Sequence, residues 1–238
     1  MRIHSISGPR NLSTALMYSF AQRKDTQVID EPFYGYYLKS SGVKHPGRDE
    51  TLANMQTDAK KILDNVIYGN YNKAHVYFKN MAHHLIGVDL SFLKDCTNIL
   101  LIRHPRLLIA SFSKVIPIPT ITDIGLKHEA ELYNTIQKLT DEKPIVIDTG
   151  QLQNNPKKYL EKLCESLNIQ FDKNMMEWKP GPRPEDGVWA KYWYSSLHKS
   201  TGFSPVSNLL PELSNNQRKL FDEAMDYYSF LYKHSLKL

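Results

Sequence analysis

Short apolar runs alternate with stretches of helical period through the first two thirds of the chain. Ile3 to Ile6 reads as a strand, Ser13 to Gln22 as a helix and Gln27 to Ile29 as a second strand. Residues 33–50, rich in Tyr, Ser, Gly and charge, read as a loop. Leu52, Met55, Ala59, Ile62, Leu63 and Val66 fall on one stripe, which predicts a helix from about Leu52 to Tyr68. Further strands are predicted at His75 to Phe78, Asn98 to Ile102 and Ile145 to Ile147. Helical segments near 105–114 and 126–140 lie between the last two, split by Pro117 and Pro119. Such alternation implies a parallel sheet of about five strands with helices on both faces.

Beyond that sheet, Asn155 before Pro156 marks a helix start, a cap residue followed by proline at the first helical position. Ser214 and Gln217 have the spacing of a capping box, ahead of a long helix bearing Leu220, Phe221, Ala224 and Tyr228. Residues 171–213 have little period and many Pro, Gly, Trp and Tyr, the composition of an ordered functional loop. One unit over 1–238 is expected, with a binding core at 1–170 and a segment at 171–238 that covers the site.

Composition changes little in this picture. At 41% hydrophobic and 23% charged the 238 residues are ordinary for a globular protein. No apolar run reaches the roughly 18 residues a membrane span needs, and Ser7, Gly8 and Pro9 interrupt any leader-like core, so a cytoplasmic protein without a membrane partner is expected. Cys96 and Cys164 have no metal or redox spacing, and Cys164 shares a helical face with Leu160, Leu163 and Leu167. The net charge of +5 favours anionic partners, yet Lys and Arg are scattered with no dense tract. A small polyanion fits this better than nucleic acid.

The segment Ser7-Gly8-Pro9-Arg10-Asn11-Leu12-Ser13-Thr14 joins the first strand to the first helix. Backbone N–H groups in such a turn, with the unpaired donors of the helix start, cradle an anion. Ser13 and Thr14 add hydroxyls, and Arg10 adds a permanent charge that can fork onto two oxygens. The lysine of an ATP-binding P-loop is missing, for Leu12 stands in its place. The bland alternative is a plain turn capped by Ser13. A second segment, Asn98 to Ser111, reads strand, turn, helix. Arg103 falls at the strand's C-terminal end, where ligands sit in parallel sheets, and Ser111 follows about two helical turns later.

Together these segments resemble the nucleotide-dependent sulfotransferases. Pro9-Arg10-Asn11-Leu12-Ser13-Thr14 is similar to the family's first loop, Pro-(Lys/Arg)-Ser-Gly-Thr-Thr, with Leu12 at the family glycine. Arg103 and Ser111 match the family's grip on a 3′-phosphate, and residues 145–156 resemble its later strand, turn and helix start. The resemblance covers residues 1–175 in patches. It implies a three-layer α/β/α P-loop-type fold with a mostly irregular and helical C-terminal segment. It also implies 3′-phosphoadenosine-5′-phosphosulfate (PAPS) as donor, held by Arg10, Asn11, Leu12, Ser13, Thr14, Arg103 and Ser111, with no metal.

Sulfuryl transfer to a small-molecule acceptor, through its hydroxyl or amine, requires a base. Glu31 ends the second strand, and Pro32 is expected to hold it extended, with its carboxylate over the strand ends. The other candidates are His83 and His84, after the third strand. Lys79, at the end of that strand, corresponds in the family to the lysine that touches the bridging oxygen. Trp189 to Phe203 reads either as ligand contacts, with Lys191, His198 and Lys199 meeting phosphate, or as a second small core. Two other functions stay open: a P-loop kinase for a nucleotide or small molecule, and a sulfotransferase-like module that binds without catalysis.

Overall fold

The computed structural model describes residues 1–205 and 210–238. Five strands form, each where a short apolar run predicts one: β1 (Arg2–Ser7), β2 (Thr26–Asp30), β3 (His75–Met81), β4 (Thr97–Ile102) and β5 (Ile145–Asp148). They make one parallel sheet in the order β2-β3-β1-β4-β5. Alternate residues face opposite layers. Val76, Phe78, Leu100 and Ile102 enter one core, while Tyr77, Ile99, Leu101 and Ile147 enter the other.

Helix α1 (Ser13–Ala21) follows β1, and α2 (Tyr34–Ser41) and α3 (Arg48–Asn54) follow β2. Here the sequence reading needs correction, because residues 33–50 are not a loop. Tyr34 and Leu38, four apart, bury one face of α2 beneath a composition that looks polar. The predicted helix from Leu52 to Tyr68 is also broken. Met55 is extended, and Asp58 caps a new helix, α4 (Ala59–Ile62), by accepting from Lys61 N–H. That helix runs on into a wide π turn at Leu63–Ile67. An unbroken apolar stripe concealed a cap residue that restarts the helix.

After β4 come α5 (Pro105–Phe112), α6 (Ile121–Ile124) and α7 (Leu126–Thr140). After β5 come α8 (Thr149–Asn154) and α9 (Pro156–Ser166), the latter capped by Asn155 with Pro156 at its first position. Residues of α5, α7 and the C-terminal helix cover one sheet face, and α1 and α9 cover the other. Cys164 is buried in the second layer, and both cysteines are free thiols.

Residues 171–205 and 210–214 are largely irregular, with α10 (Ala190–Trp193) and short 3₁₀ turns, and α11 (Asn215–Lys233) follows; positions 206–209 of the predicted loop lie outside the described residues. The capping box of α11 forms as expected between Ser214 and Gln217. Past α11 the chain returns to the sheet, where Leu236 N–H donates to the Val146 carbonyl at 2.9 Å. Among the described residues no helix is long and apolar enough to cross a membrane.

Candidate active site

The chain leaves β1 toward β2 on one side and leaves β4 toward β5 on the other. The C-terminal ends of these adjacent strands therefore splay their connections and open a crevice, the usual ligand position in such sheets. A cleft of about 400 Å³ lies there, within the range of small-ligand sites. Pro9 to Ala15 and Arg103 line it, and so do Glu31, His83 and His84.

The loop after β1 is held in a demanding conformation. Arg10 and Leu12 both have left-handed backbone, with φ of 61° and 58°. Leu12 occupies the position of the family glycine and adopts the conformation glycine accepts without penalty; for leucine it costs about 1–2 kcal/mol. The plain turn capped by Ser13, the bland alternative, is not what forms: Leu12 is the cap residue and Ser13 is the first, buried residue of α1. The Asn11 side chain turns inward and donates to the Leu101 carbonyl at 2.8 Å, so this residue offers the cleft its backbone. Ser13 and Thr14 line the cleft.

Arg10, Arg103 and Ser111 come together. Arg10 Nε donates to Ser111 Oγ at 3.1 Å, and Arg103 Nη1 donates to the Arg10 carbonyl at 2.8 Å. Both guanidiniums are half-buried, and neither forms an ion pair among the described residues. Burial lowers the pKa of each, and for Arg103 the charge of Arg10 lowers it further. Arg103 Nε is buried with no partner.

The ends of β2 and β3 carry a second cluster. Register pairs Asp30 with Lys79. Lys79 is 0% exposed, and its ammonium donates to Asp30 Oδ1 at 2.9 Å, to Glu31 Oε1 and to Tyr194 Oη at 2.7 Å. Tyr194 Oη in turn donates to Asp30 Oδ2 at 2.8 Å. All three ammonium protons are thus spent inside the fold, and Lys79 does not line the cleft, contrary to the expected contact with a bridging oxygen. Burial works to lower the Lys79 pKa, but Asp30 and Glu31 outweigh it and hold the group above its ordinary value.

Glu31 does end β2 and reach the cleft, but it is not extended. Its φ is +44°, and this left-handed bend turns the chain straight toward α2. Its N–H donates to the Lys79 carbonyl at 2.7 Å and its carbonyl accepts from Tyr34 N–H at 2.9 Å. Burial raises the carboxyl pKa above its ordinary value, against the pull of Lys79. His83 and His84 are buried. Burial lowers His83 to about 3 and carries His84 well below 6.5, so both rings are neutral and weakly basic. His84 is stacked between Tyr34 and Tyr37, with ring centroids 4.8 and 4.9 Å away.

In the tail, Trp189 and Tyr194 are buried in a third small core with Tyr34 and Leu38, and both also line the cleft. The two readings of this stretch therefore coincide for the aromatics. Lys191 pairs with Glu50 and His198 with Asp186, and with Lys199 they stay out of the cleft lining. Asp30 and Tyr194 escaped the sequence reading. Asp30 was detectable, since period two puts it on the buried face of Val28. Tyr194 had no such signal.

The sulfotransferase-domain family matches residues 1–235. The chain belongs to this family. Among curated proteins it is 40% identical over 233 residues to branched-chain-amino-acid aminotransferase-like protein 1 of Arabidopsis thaliana, and 38% identical to protein 2 of that name. The match takes in 98% of this chain but 42% and 41% of those relatives, so the chain spans less than half their length. Among solved structures it resembles a sulfotransferase from Alicyclobacillus acidocaldarius, with TM-score 0.54, 12% identity, and coverage of 99% of this chain and 97% of that one. It also resembles the sulfotransferase domain of the Synechococcus PCC 7002 olefin synthase, with TM-score 0.50, 17% identity, and coverage of 100% and 96%. At those identities the likeness establishes the sulfotransferase fold.

Proposed function

We propose that this sulfotransferase-family chain moves a sulfuryl group from PAPS to a hydroxyl or amine of a small-molecule acceptor. The observation that carries this reading is the Arg10–Arg103 pair at the crevice between β1 and β4. Two half-buried guanidiniums, tied together through the Arg10 carbonyl and without an ion-pair partner among the described residues, leave positive charge inside the fold that Asp148 offsets only in part. An anion in the cleft would relieve that cost. The bare Arg103 Nε and the donors at the start of α1 give it partners.

A donor with phosphates at both ends fits these residues. Arg103 and Ser111 would hold the 3′-phosphate. Arg10, Ser13, Thr14 and the backbone N–H groups of the loop would hold the phosphosulfate. When bound, PAPS supplies the sulfuryl group and leaves as its desulfated product, PAP. Glu31 faces the same cleft and takes the acceptor's proton, burial having raised its pKa in the direction that makes a carboxylate a stronger base. With Lys79 spent inside the fold, Arg10 and the loop N–H groups stabilise charge on the moving group. Lys79 instead keeps Asp30 and Glu31 together in a dry site. The scheme calls for no metal. A reducing, cytoplasmic setting suits the two unpaired thiols.

Calorimetry with PAP against ADP tests the donor assignment. PAP is expected to bind at least about tenfold tighter, since charge-assisted contacts to the 3′-phosphate that ADP lacks contribute about 1.5–3 kcal/mol. Arg103→Ala should erase that preference. Equal affinity for PAP and ADP in the parent protein would sink the assignment.

A further inference from the structure

Beneath the anion loop lies a carboxyl that the transfer scheme does not use. Glu129 sits on the buried stripe of α7, among Leu126, Ala130, Tyr133 and Ile136, and is 0% exposed. Its Oε1 accepts from Gly8 N–H at 3.0 Å. The contact is enforced by close packing: a Cβ on Gly8 would stand 2.2 Å from the Ile124 carbonyl oxygen, and one on Gly125 would stand 2.7 Å from Gly8 Cα. The first residue of the loop is thus pressed onto the junction between α6 and α7.

Two buried acceptors here have no donor. One is Glu129 Oε2 and the other is Asn11 Oδ1. The Asn11 carboxamide is anchored through its Nδ2, which donates to the Leu101 carbonyl at 2.8 Å. An ionised Glu129 would leave its charged Oε2 without a partner in a dry site, an arrangement that costs about 1–3 kcal/mol. A proton on Oε2 removes that charge.

We propose that Glu129 is a positioning residue that holds the anion loop from beneath as a neutral carboxylic acid, its Oε1 accepting from Gly8 N–H. As a neutral group it braces the loop without setting negative charge under the place where an anion binds. The consequence for donor binding rests on the sulfotransferase reading above.

The neighbours do not oppose this state. The titratable groups on elements packed against α7 are Arg10 in the loop, His4 in β1, and His83 and His84 after β3. Further ones are Arg2 in β1, Asp123 in α6, Lys94 and Asp95 before β4, and Arg218, Lys219, Asp222, Glu223, Asp226 and Lys233 in α11, with His234 at its end. None forms an ion pair with Glu129 among the described residues, and His4 and His83 are neutral, each lowered to about 3. Burial drives the Glu129 carboxyl well above its ordinary value, with weaker opposition from Gly8 and Asn11.

Two measurements on the whole chain test the proposal. The infrared difference spectrum between the parent and Glu129→Gln, taken at neutral pH, should show the carbonyl stretch of a protonated carboxylic acid in the parent alone. Glutamine is neutral like the protonated acid and keeps an acceptor for Gly8 N–H, whereas leucine offers none. Glu129→Leu is expected to weaken PAP binding about tenfold, and Glu129→Gln to restore it to within about twofold of the parent. Absence of the acid band overturns the proposal, and so does a folded Glu129→Gln that binds PAP as poorly as the leucine variant. If the leucine variant does not fold, the band and the affinity of Glu129→Gln relative to the parent still decide. If the parent binds no PAP, the donor reading falls while the infrared band still tests the state of Glu129.

Discussion

Arg103 donates to the backbone carbonyl of Arg10 at 2.8 Å, so one cation of the cleft fixes the loop that carries the other. The loop needs such a tie, because Arg10 itself is in the left-handed region. Replacing either side chain should therefore disturb the other's contacts. Arg10→Ala and Arg103→Ala are each expected to weaken PAP binding. Their combined loss should fall short of the sum by about 0.5–3 kcal/mol, as for residues in one network. A double-mutant cycle by calorimetry measures this, and strict additivity would show two independent contacts.

Glu31 as base predicts a particular split between binding and turnover. Glu31→Gln should lower the transfer rate by about 10²–10⁴ while PAP still binds. A base works deprotonated, and burial raises this carboxyl above 4.5. In the parent the rate should climb as pH rises through that raised value, and the rising limb should vanish in the glutamine variant. Steady-state rates across pH with a reactive acceptor check both. Retained turnover in Glu31→Gln would move the base to another group. PAP binding by the parent with no transfer to any acceptor would favour a module that binds without catalysis.

Lys79 predicts a loss of stability that does not begin at the donor. Removing its ammonium leaves Asp30 and Glu31 together in a dry site, and breaking such a buried pair costs about 3–5 kcal/mol. Lys79→Met should therefore unfold at markedly lower urea concentration than the parent. The doubly neutralised variant, Lys79→Met with Asp30→Asn, should recover part of the loss. Urea denaturation of the set checks it, and a stable Lys79→Met would mean the cluster holds little charge.

His83 predicts the pH dependence of folding. Its pKa in the fold is about 3, against 6.5 when exposed. Between those values the unfolded chain binds a proton that the folded chain refuses. The histidine's contribution to stability is therefore complete above pH 6.5 and is lost as pH falls toward 3. The slope is about 1.4 kcal/mol per pH unit. Glu31 and Glu129, raised by burial, work in the opposite direction, so the clean observable is the difference between the parent and His83→Gln. Urea midpoints from pH 7 to pH 4 should fall more steeply in the parent by about one proton.

Much of this was legible in the sequence because it rests on local pattern. The five strands stand out as short apolar runs, and Asn155 and Ser214 announce their helices by cap chemistry that acts over three residues. Arg10, Arg103 and Ser111 could be brought together from sequence because strand ends in a parallel sheet converge on one edge. Glu129 was not singled out, although a charged residue on the apolar stripe of α7 could have flagged it; its place under Gly8 depends on long-range packing. What failed depended on contacts distant in the chain. Glu31 bends left-handed because α2 must start at once, and α2 itself was hidden beneath tyrosines and serines. Lys79 looked available because its partners, Asp30 and Tyr194, lie 49 and 115 residues away.

Tyr194 gives the covering segment a meaning beyond shelter. It is the one neutral group in a dry knot of a lysine and two carboxylates, and it arrives from the far end of the chain. Cutting the chain in the surface stretch before Trp189 would do more than remove a flap. The sheet fragment would keep three charges that no longer have the hydroxyl they share. The two pieces should therefore reassociate as a matched pair, each the missing half of the other's electrostatics.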